Sequence, residues 1–450
     1  MDEDGAAPSI PGVPFDKFPL EIQSQIANYL DKKSLFNTIL VNKEWFLRLI
    51  DLVWHTASIS ATFTNPARIR TKSRRQYYAA KIRRASIGSA HNPSLYKGLE
   101  FRSIQRLEVH SFDTADEFWL LSLLKPTLQT FIVKQYCDMN TRVLDSLRSC
   151  PQLQALALKG LAPHRNEENL LAYLREAPSL RTVFLQPGRV HHTGDGPLLV
   201  RTLNTLLRRG NLESLALCSD LTEDWFTEHS RTTTEPFPLN ANLQLLRIQG
   251  YGPAAAVCLS TATACLNHLH LTLHDPKHDL FEQFRNFPNL TSLSLRFTSG
   301  RTHVPLKIKV SDLDVLRTLT KLIHLTISNR SYPRSKLEWM TDTYFASWIS
   351  HFGNLRRLNL DLQCNLTRAA LVSIARSCPH LVRLTLGWRL NLGSWSGLVA
   401  AAPLLPQLRS LVLEEVRSID ASITLRRYER SFWTVSLLGM EGIPHHHLDT

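Results

Sequence analysis

One six-residue phrase recurs along this chain of 450 residues: an apolar residue, two variable residues, a second apolar residue, one variable residue and a third apolar residue. Clear copies are LESLAL, LTSLSL, LRRLNL, LVRLTL and LRSLVL. Twelve copies begin at Ile104, Leu128, Leu153, Leu180, Leu212, Leu243, Leu266, Leu290, Leu322, Leu355, Leu381 and Leu408. Their starts lie on average about 28 residues apart. One strand and one helix cannot bury their own apolar sides, so a chain with this repeat must stack its copies.

The phrase and its spacing resemble those of leucine-rich-repeat proteins, whose units run roughly 20 to 29 residues with longer insertions. Each phrase predicts a short strand, and the interval after it shows helical spacing, as in TRAALVSIARSCP at residues 367–379. The predicted fold is therefore an α/β solenoid with parallel strands on the concave face and helices on the convex face. LNLDLQCNLTRAALVSIARSCPHL, residues 358–381, resembles the cysteine-containing subclass of these repeats that occurs in many F-box proteins.

The segment FPLEIQSQIANYL, residues 18–30, predicts a short amphipathic helix, with Pro19 at a position that tolerates proline. Its apolar pattern continues only to Trp54. A unit of roughly 40 residues seldom buries enough surface to fold alone. This segment should therefore complete its core against another surface.

Residues 18–54 resemble the F-box, a small three-helix motif that precedes leucine-rich repeats in one family of proteins. The resemblance implies docking onto a Skp-family adaptor, which joins the F-box protein to a cullin-RING ubiquitin ligase. The adaptor-binding residues that it implies are Pro19, Leu20, Ile22, Ile26, Leu30, Leu35, Val41 and Trp45. A plainer alternative is that these helices only cap the N-terminal end of the repeat array.

Five segments follow from these patterns. We predict a disordered N-terminus at residues 1–14 and an F-box at residues 15–56. A basic linker and N-terminal cap should occupy residues 57–100, about twelve leucine-rich repeats residues 101–416, and a C-terminal cap and tail residues 417–450.

The formal net charge is +13, and eight cations without an acid lie between Arg68 and Arg84. Nucleic-acid binding or nuclear import is one interpretation of this basic stretch. A solvated connecting helix or loop is the other, and it is favoured because no base-reading module surrounds the stretch. We therefore do not expect a nucleic-acid partner.

The variable positions of the strands should point outward and choose the substrate. Several of them are basic, and the predicted substrate-binding residues are Arg247, Arg356, Arg357, Arg383 and Arg409. Guanidinium groups suit carboxylate or phosphate, so a protein substrate with an acidic or phosphorylated segment is expected. The alternative is a solvated or salt-bridged face that only confers solubility.

Motifs for independent catalysis are missing from the sequence: there is no P-loop, GxGxxG, HExxH or GxSxG. We expect no cofactor and no metal site, and we interpret His445–His447 as part of a tail. The seven cysteines lack CxxC pairs, which favours reduced thiols. No secretory signal or run of about 18 apolar residues is present, so we expect no membrane association and a cytoplasmic or nuclear protein.

These features together predict the non-catalytic substrate-recognition subunit of an SCF-type E3 ubiquitin ligase. The alternative is a leucine-rich-repeat scaffold or a nucleic-acid-associated protein that acts outside a ligase.

Overall fold

The computed structural model describes most of the chain between residues 17 and 437. The described residues are 17–59, 69, 71–88, 98–112, 117–137, 139–161, 167–187, 202–203, 205–221, 242–260, 265–274, 278–298, 308–329, 336–364, 366–391, 405–417 and 434–437. The predicted N-terminal segment 1–14 and most of the predicted tail lie outside them. The chain divides into two compact units, residues 1–155 and 156–450.

Unit 1 begins with three helices and continues with parallel strands. Its helices are α1 (Leu20–Tyr29), α2 (Lys32–Thr38), α3 (Lys43–Trp54), α4 (Lys72–Ala79), α5 (Glu117–Leu123) and α6 (Thr141–Arg148). Its strands are β1 (Thr56–Ser58), β2 (Arg84–Ile87), β3 (Arg106–Phe112) and β4 (Thr130–Cys137), paired in this order and all parallel. Two strands thus precede the first of the twelve phrases.

Side-chain caps set the starts of the early helices. Asp31 accepts a hydrogen bond from Ser34 N (2.7 Å) at the start of α2. Asn42 does the same for Trp45 N (2.8 Å) at the start of α3. Each cap satisfies a backbone donor that the helix itself leaves free. The two polar breaks in the sequence pattern therefore separate three helices.

Unit 2 continues the parallel pattern. Its strands are β5 (Ala155–Leu161), which starts at the division, β6 (Thr182–Pro187), β7 (Ser214–Leu221), β8 (Leu245–Tyr251), β9 (His268–His274), β10 (Ser292–Thr298), β11 (His324–Asn329), β13 (Arg357–Asp361), β15 (Arg383–Asn391), β16 (Ser410–Arg417) and β17 (Thr434–Leu437), in that order. The short strands β12 (Lys336–Leu337) and β14 (Gln363–Cys364) form a separate pair. This sequential order of parallel strands is that of a solenoid-like repeat fold.

Helices alternate with the strands of unit 2. The helices with defined bounds are α7 (Glu167–Glu176), α8 (Gly252–Ser260), α9 (His278–Glu282), α10 (Val310–Leu316), α11 (Asp342–Ile349) and α12 (Arg368–Ser377), and a 3-10 helix spans Gln283–Asn286. Asparagine side chains link successive repeats ahead of the strands: Asn211 Nδ2 donates to Pro178 O (2.7 Å), and Asn242 Nδ2 donates to Gly210 O (2.6 Å). These bonds satisfy turn carbonyls and hold neighbouring repeats in register.

The apolar residues of the phrase form the interior of the repeats, as predicted. The first and second apolar residues are at most 7% exposed in all twelve copies. The third is buried in each of the eleven copies whose side chain the structure describes. Parallel register places like residues side by side, for example Leu293, Leu325, Leu358, Leu384 and Leu411 on neighbouring strands. Each leucine therefore packs on its counterpart in the next repeat.

The cysteines are free thiols, and five of the seven are buried. Cys378 is fully buried at the end of α12, where its Sγ donates to Phe352 O (3.5 Å). Burial raises the pKa of Cys378 to about 12 and that of Cys150 to about 11. Both thiols therefore stay protonated at neutral pH and serve as small packing residues.

Candidate functional site

The helix cluster α1–α3 has an inner and an outer side. Ala27, Ile39, Leu49, Ile50 and Val53 form its buried core. On α1 the inner side carries Gln23 and Ala27, which lie one turn apart. An adjoining side carries Ile22, Ile26 and Tyr29, whose spacing of four and three residues places them on one helical face. This face is apolar and exposed.

Other apolar residues of the helix cluster are also exposed. We call the whole set the apolar surface: Ile22, Ile26, Tyr29, Phe36, Leu40, Val41 and Leu47. Their side chains are between 37% and 91% exposed. Scattered single exposures are ordinary, but seven within one short three-helix segment make it a candidate interaction surface.

The predicted adaptor-binding residues divide between this surface and the core. Pro19, Ile22, Ile26 and Val41 are exposed, whereas Leu30, Leu35 and Trp45 are half-buried. Leu35 and Trp45 pack against the buried core. The side chain of Leu20 lies outside the described part of the structure. Tyr29, Phe36, Leu40 and Leu47 also belong to this surface, although they were not among the predicted adaptor-binding residues.

Gln23 provides a buried polar link across the helix cluster. Its Nε2 donates to Phe18 O (2.6 Å), and its Oε1 accepts from Arg48 Nη1 (2.8 Å). Arg48 also pairs with Glu44 on α3. The amide thus joins α1 to α3 and turns a polar residue inward while the neighbouring isoleucines face outward.

The described part of the basic stretch packs onto α3. Tyr78 of α4 stacks on Trp54, with ring centroids 4.3 Å apart. Lys81 Nζ lies 2.7 Å from Asp51 Oδ1, and this hydrogen bond raises the pKa of Lys81. The stretch therefore contains a helix held by specific contacts; Arg68 and Arg70 lie outside the described residues.

The outer face of the unit 2 sheet carries two rows of polar side chains. The first row, set by strand register, contains His268, Ser292, His324, Arg357, Arg383 and Ser410. The second row, two residues further along each strand, contains Arg247, His270, Ser294, Thr326, Asn359 and Thr385. Outward positions thus form continuous lines across neighbouring strands, as the period of two requires.

The five predicted substrate-binding arginines do not form one cluster. Arg357 and Arg383 are direct partners on adjacent strands. Arg356 lies just before β13, and Arg409 lies just before β16, one strand beyond β15. Arg247 is on β8, with three strands between it and β13. All five are exposed, and within the described part of the chain none of them forms an ion pair.

Two histidines on this face have lowered pKa values, and the positive charges of the face contribute to the shift. The pKa of His324 is lowered by burial and by the charges of Arg357, His268 and Arg356. The pKa of His270 is lowered by burial and by Arg247, Arg296 and His268. Both imidazoles are therefore neutral at pH 7, and the lasting charge of the face comes from its arginines.

Two cations on the outer face of unit 1, Arg106 and Lys134, are paired with one acid. Glu108 Oε1 lies 2.6 Å from Arg106 Nη2, and Glu108 Oε2 lies 2.7 Å from Lys134 Nζ. Burial alone would raise the pKa of Glu108, but hydrogen bonds from Lys134 and Arg106 outweigh it and lower the pKa. These cations are neutralised within the chain, in contrast to Arg357 and Arg383.

No described helix has the length and apolar character needed to cross a bilayer. Among the described residues, no three His, Cys, Asp or Glu side chains are grouped so that they could hold a metal ion.

Comparisons with known proteins give only distant structural similarity. No protein-family model matches the sequence, and no curated protein matches it. The chain is similar to a chain in the crystal structure of the Rad7 and Elc1 complex in yeast, at 16% identity and with a TM-score of 0.44. The match covers 92% of this chain and 95% of that chain.

Proposed function

We propose that this chain is the substrate-recognition subunit of an SCF-type ubiquitin ligase. In this proposal the helix cluster docks onto a Skp-family adaptor, and the repeats hold a protein substrate. The chain contributes no bond chemistry of its own and accelerates ubiquitin transfer by proximity and orientation. It would act in the cytoplasm or the nucleus.

The apolar surface is the observation that carries this proposal. Its seven residues remain exposed although the helices have a buried core of their own. If five of them are buried on docking, at about 1.5 to 3 kcal/mol each, the gross gain is on the order of 10 kcal/mol before ordering costs. This is enough to sustain a stable complex with an adaptor that presents a matching apolar groove.

The docking residues can be tested with variants that spare the core. Ile26→Asp combined with Leu40→Asp changes only exposed positions, whereas a change at Trp45 would disturb the packing of α3. We expect the double variant to lose at least about 100-fold in affinity for a purified Skp-family adaptor, because two buried anions would oppose docking. Isothermal titration calorimetry with the full-length chain measures this.

A matched control places the same charges at exposed polar positions. Gln25→Asp with Asn37→Asp alters the same two segments and the net charge by the same amount without removing apolar area. This control should bind the adaptor much more tightly than the Ile26→Asp/Leu40→Asp variant. If the wild-type chain binds no adaptor, the ligase proposal fails, and capping of the array becomes the explanation of the helix cluster.

A further inference from the structure

The pair Arg357 and Arg383 is the most unusual feature of the outer sheet face. The two residues are register partners on adjacent parallel strands, so their backbones lie about 4.8 Å apart. Both are exposed, and neither forms an ion pair within the described part of the chain. Like charges directly opposite one another destabilise a sheet, so a bound anion would relieve this repulsion.

Polar groups without partners lie beside this pair. Asn359 Oδ1 and His324 Nδ1 are buried and have no hydrogen-bond partner among the described residues. His324 is the register partner of Arg357 on β11, and Asn359 follows Arg357 by two residues on β13. Buried polar atoms without partners are uncommon because they cost free energy, so these two mark the part of the sheet beside Arg357 as one whose polar groups the described residues leave incompletely paired.

Hydroxyl groups complete the surroundings. Thr326 and Thr385 are the register partners of Asn359 on the strands to either side. We call His324, Thr326, Arg357, Asn359, Arg383 and Thr385 the anion patch. It presents two fixed cations next to a row of neutral donors and acceptors.

We infer that the anion patch binds a phosphorylated serine or threonine within a segment of the protein substrate. This inference rests on the proposed receptor role and gives the chemical class of the substrate. The phosphate would lie between the guanidinium groups of Arg357 and Arg383, and the Asn359 amide would hydrogen-bond the adjacent peptide backbone.

The geometry favours phosphate over a carboxylate. A single guanidinium already matches the two oxygens of a carboxylate. A phosphate monoester carries close to two negative charges and three acceptor oxygens, which two guanidinium groups can share. Two arginines in register with no intervening acid therefore suit the dianion better.

The composition of the rows favours a peptide over a nucleic-acid strand. A strand would require a series of cations and aromatic side chains for base stacking. From β10 to β16 the two rows contain serine, threonine, asparagine, histidine and arginine, and the second row ends with Val412 on β16. Neither row contains phenylalanine, tyrosine or tryptophan between these strands. This surface suits one phosphate within a polypeptide.

Binding of peptide libraries to the full-length chain tests the inference. The probe is a fluorescent degenerate peptide library with a central phosphoserine, compared with the same library carrying serine or glutamate at that position. We expect the phosphoserine library to bind at least about 10-fold more tightly than either. Arg357→Gln with Arg383→Gln should remove this preference, since each lost charged hydrogen bond weakens binding by about 10-fold or more.

Control variants separate local recognition from net charge. Arg285→Gln with Arg376→Gln removes the same charge from exposed positions outside the strands and should keep the preference. Arg357→Lys with Arg383→Lys keeps the charge but not the paired donors and should retain only part of it. Circular dichroism of every variant verifies folding.

Several results would overturn the inference. Equal binding of the three libraries would do so, as would an undiminished preference in the Arg357→Gln/Arg383→Gln variant. Tighter binding of a single-stranded RNA of similar length that depends on the same arginines would assign the patch to nucleic acid. Adaptor binding is measured separately: the Ile26→Asp/Leu40→Asp variant should keep phosphopeptide binding, so either proposal can fail alone.

Discussion

Leucine side chains are buried in the repeats, whereas several are exposed in the helix cluster. In the repeats, the leucines of the phrase are almost completely buried. In the helix cluster, Leu40 is 70% exposed and Leu47 is 59% exposed. Stacked copies complete one another's interior, so the repeats need only the chain itself. Within the described part of the chain, the apolar residues on the outer side of the helix cluster stay exposed.

The largest expected difference is in the free energy of unfolding when one leucine is replaced by alanine in each region. Leu325→Ala removes a fully buried side chain of β11 and should lower the free energy of unfolding by about 3 kcal/mol. Leu40→Ala removes an exposed side chain and should change it by less than about 0.5 kcal/mol. Urea titration measures both. Similar losses in the two variants would contradict the difference between the regions.

Gly387 tests how tightly the repeats are packed, because a substitution there adds a side-chain atom instead of removing one. A Cβ at Gly387 would lie 2.3 Å from Asp361 Oδ1 and 2.7 Å from Asp361 Cα. Gly387→Ala should therefore cost about 2 kcal/mol, because the backbone of β13 cannot move away freely.

Gly353 provides the matched control. There the nearest atom to an added Cβ is Ser377 O at 3.7 Å, an ordinary contact. Gly353→Ala should be neutral or slightly stabilising, because alanine restricts the unfolded chain. Thermal unfolding of the two variants measures the difference, and equal melting temperatures would show that the repeats are less tightly filled than the structure indicates.

The buried amide of the helix cluster should have a smaller effect. Gln23→Ala removes the bonds to Phe18 O and Arg48 and should cost about 1 kcal/mol. Hydrogen exchange of the α1 amides should accelerate several-fold. Gln25→Ala at an exposed position of the same helix is the control and should leave exchange unchanged. Unchanged exchange in both variants would mean that the apolar core alone holds α1.

The burial of the phrase leucines could be predicted from sequence because their spacing repeats. Every phrase leucine whose side chain the structure describes is buried. The strands β1 and β2 could not, because their inward residues Ala57, Ala85 and Ile87 include no leucine and lie in or beside a basic stretch. Small residues give little contrast between inner and outer positions. Only the pairing of β2 with β1 and with β3 shows that the parallel order begins there.

The candidate sites show a different limit. Helical spacing identifies which residues share a face, but it does not say which face the chain itself covers. Gln23 turns inward because Phe18 O and Arg48 supply its partners, and these contacts come from other turns and another helix. Likewise, the order of the phrases places Arg356, Arg357, Arg383 and Arg409 in three consecutive repeats, but only strand register shows that Arg357 and Arg383 are direct partners.

The smallest expected effect separates the two regions by pH. Below the ordinary histidine pKa of about 6.5, the unfolded chain binds protons before the folded chain does, because His270 and His324 have lowered pKa values in the fold. The free energy of unfolding should therefore fall as the pH drops from 7 toward 5. Residues 18–54 contain no histidine, and Asp31 there has a lowered pKa, so its carboxylate stays ionised across this range. His55, directly after α3, has a pKa lowered by burial and by the charges of Arg84 and Arg83, so the end of α3 should share the response of the sheet.

Acid should thus loosen the unit 2 sheet before the helix cluster. Hydrogen exchange at pH 7 and pH 5.5, corrected for the intrinsic rate, should show lower protection in β9 and β11 and unchanged protection in α1 and α2. Arg357→Gln should reduce the loss in β11, because it removes a charge that lowers the pKa of His324. A bound phosphate should reduce it for the same reason, since its charge offsets that of the arginines. Uniform loss across both regions would show that acid acts through global unfolding and not through these two imidazoles.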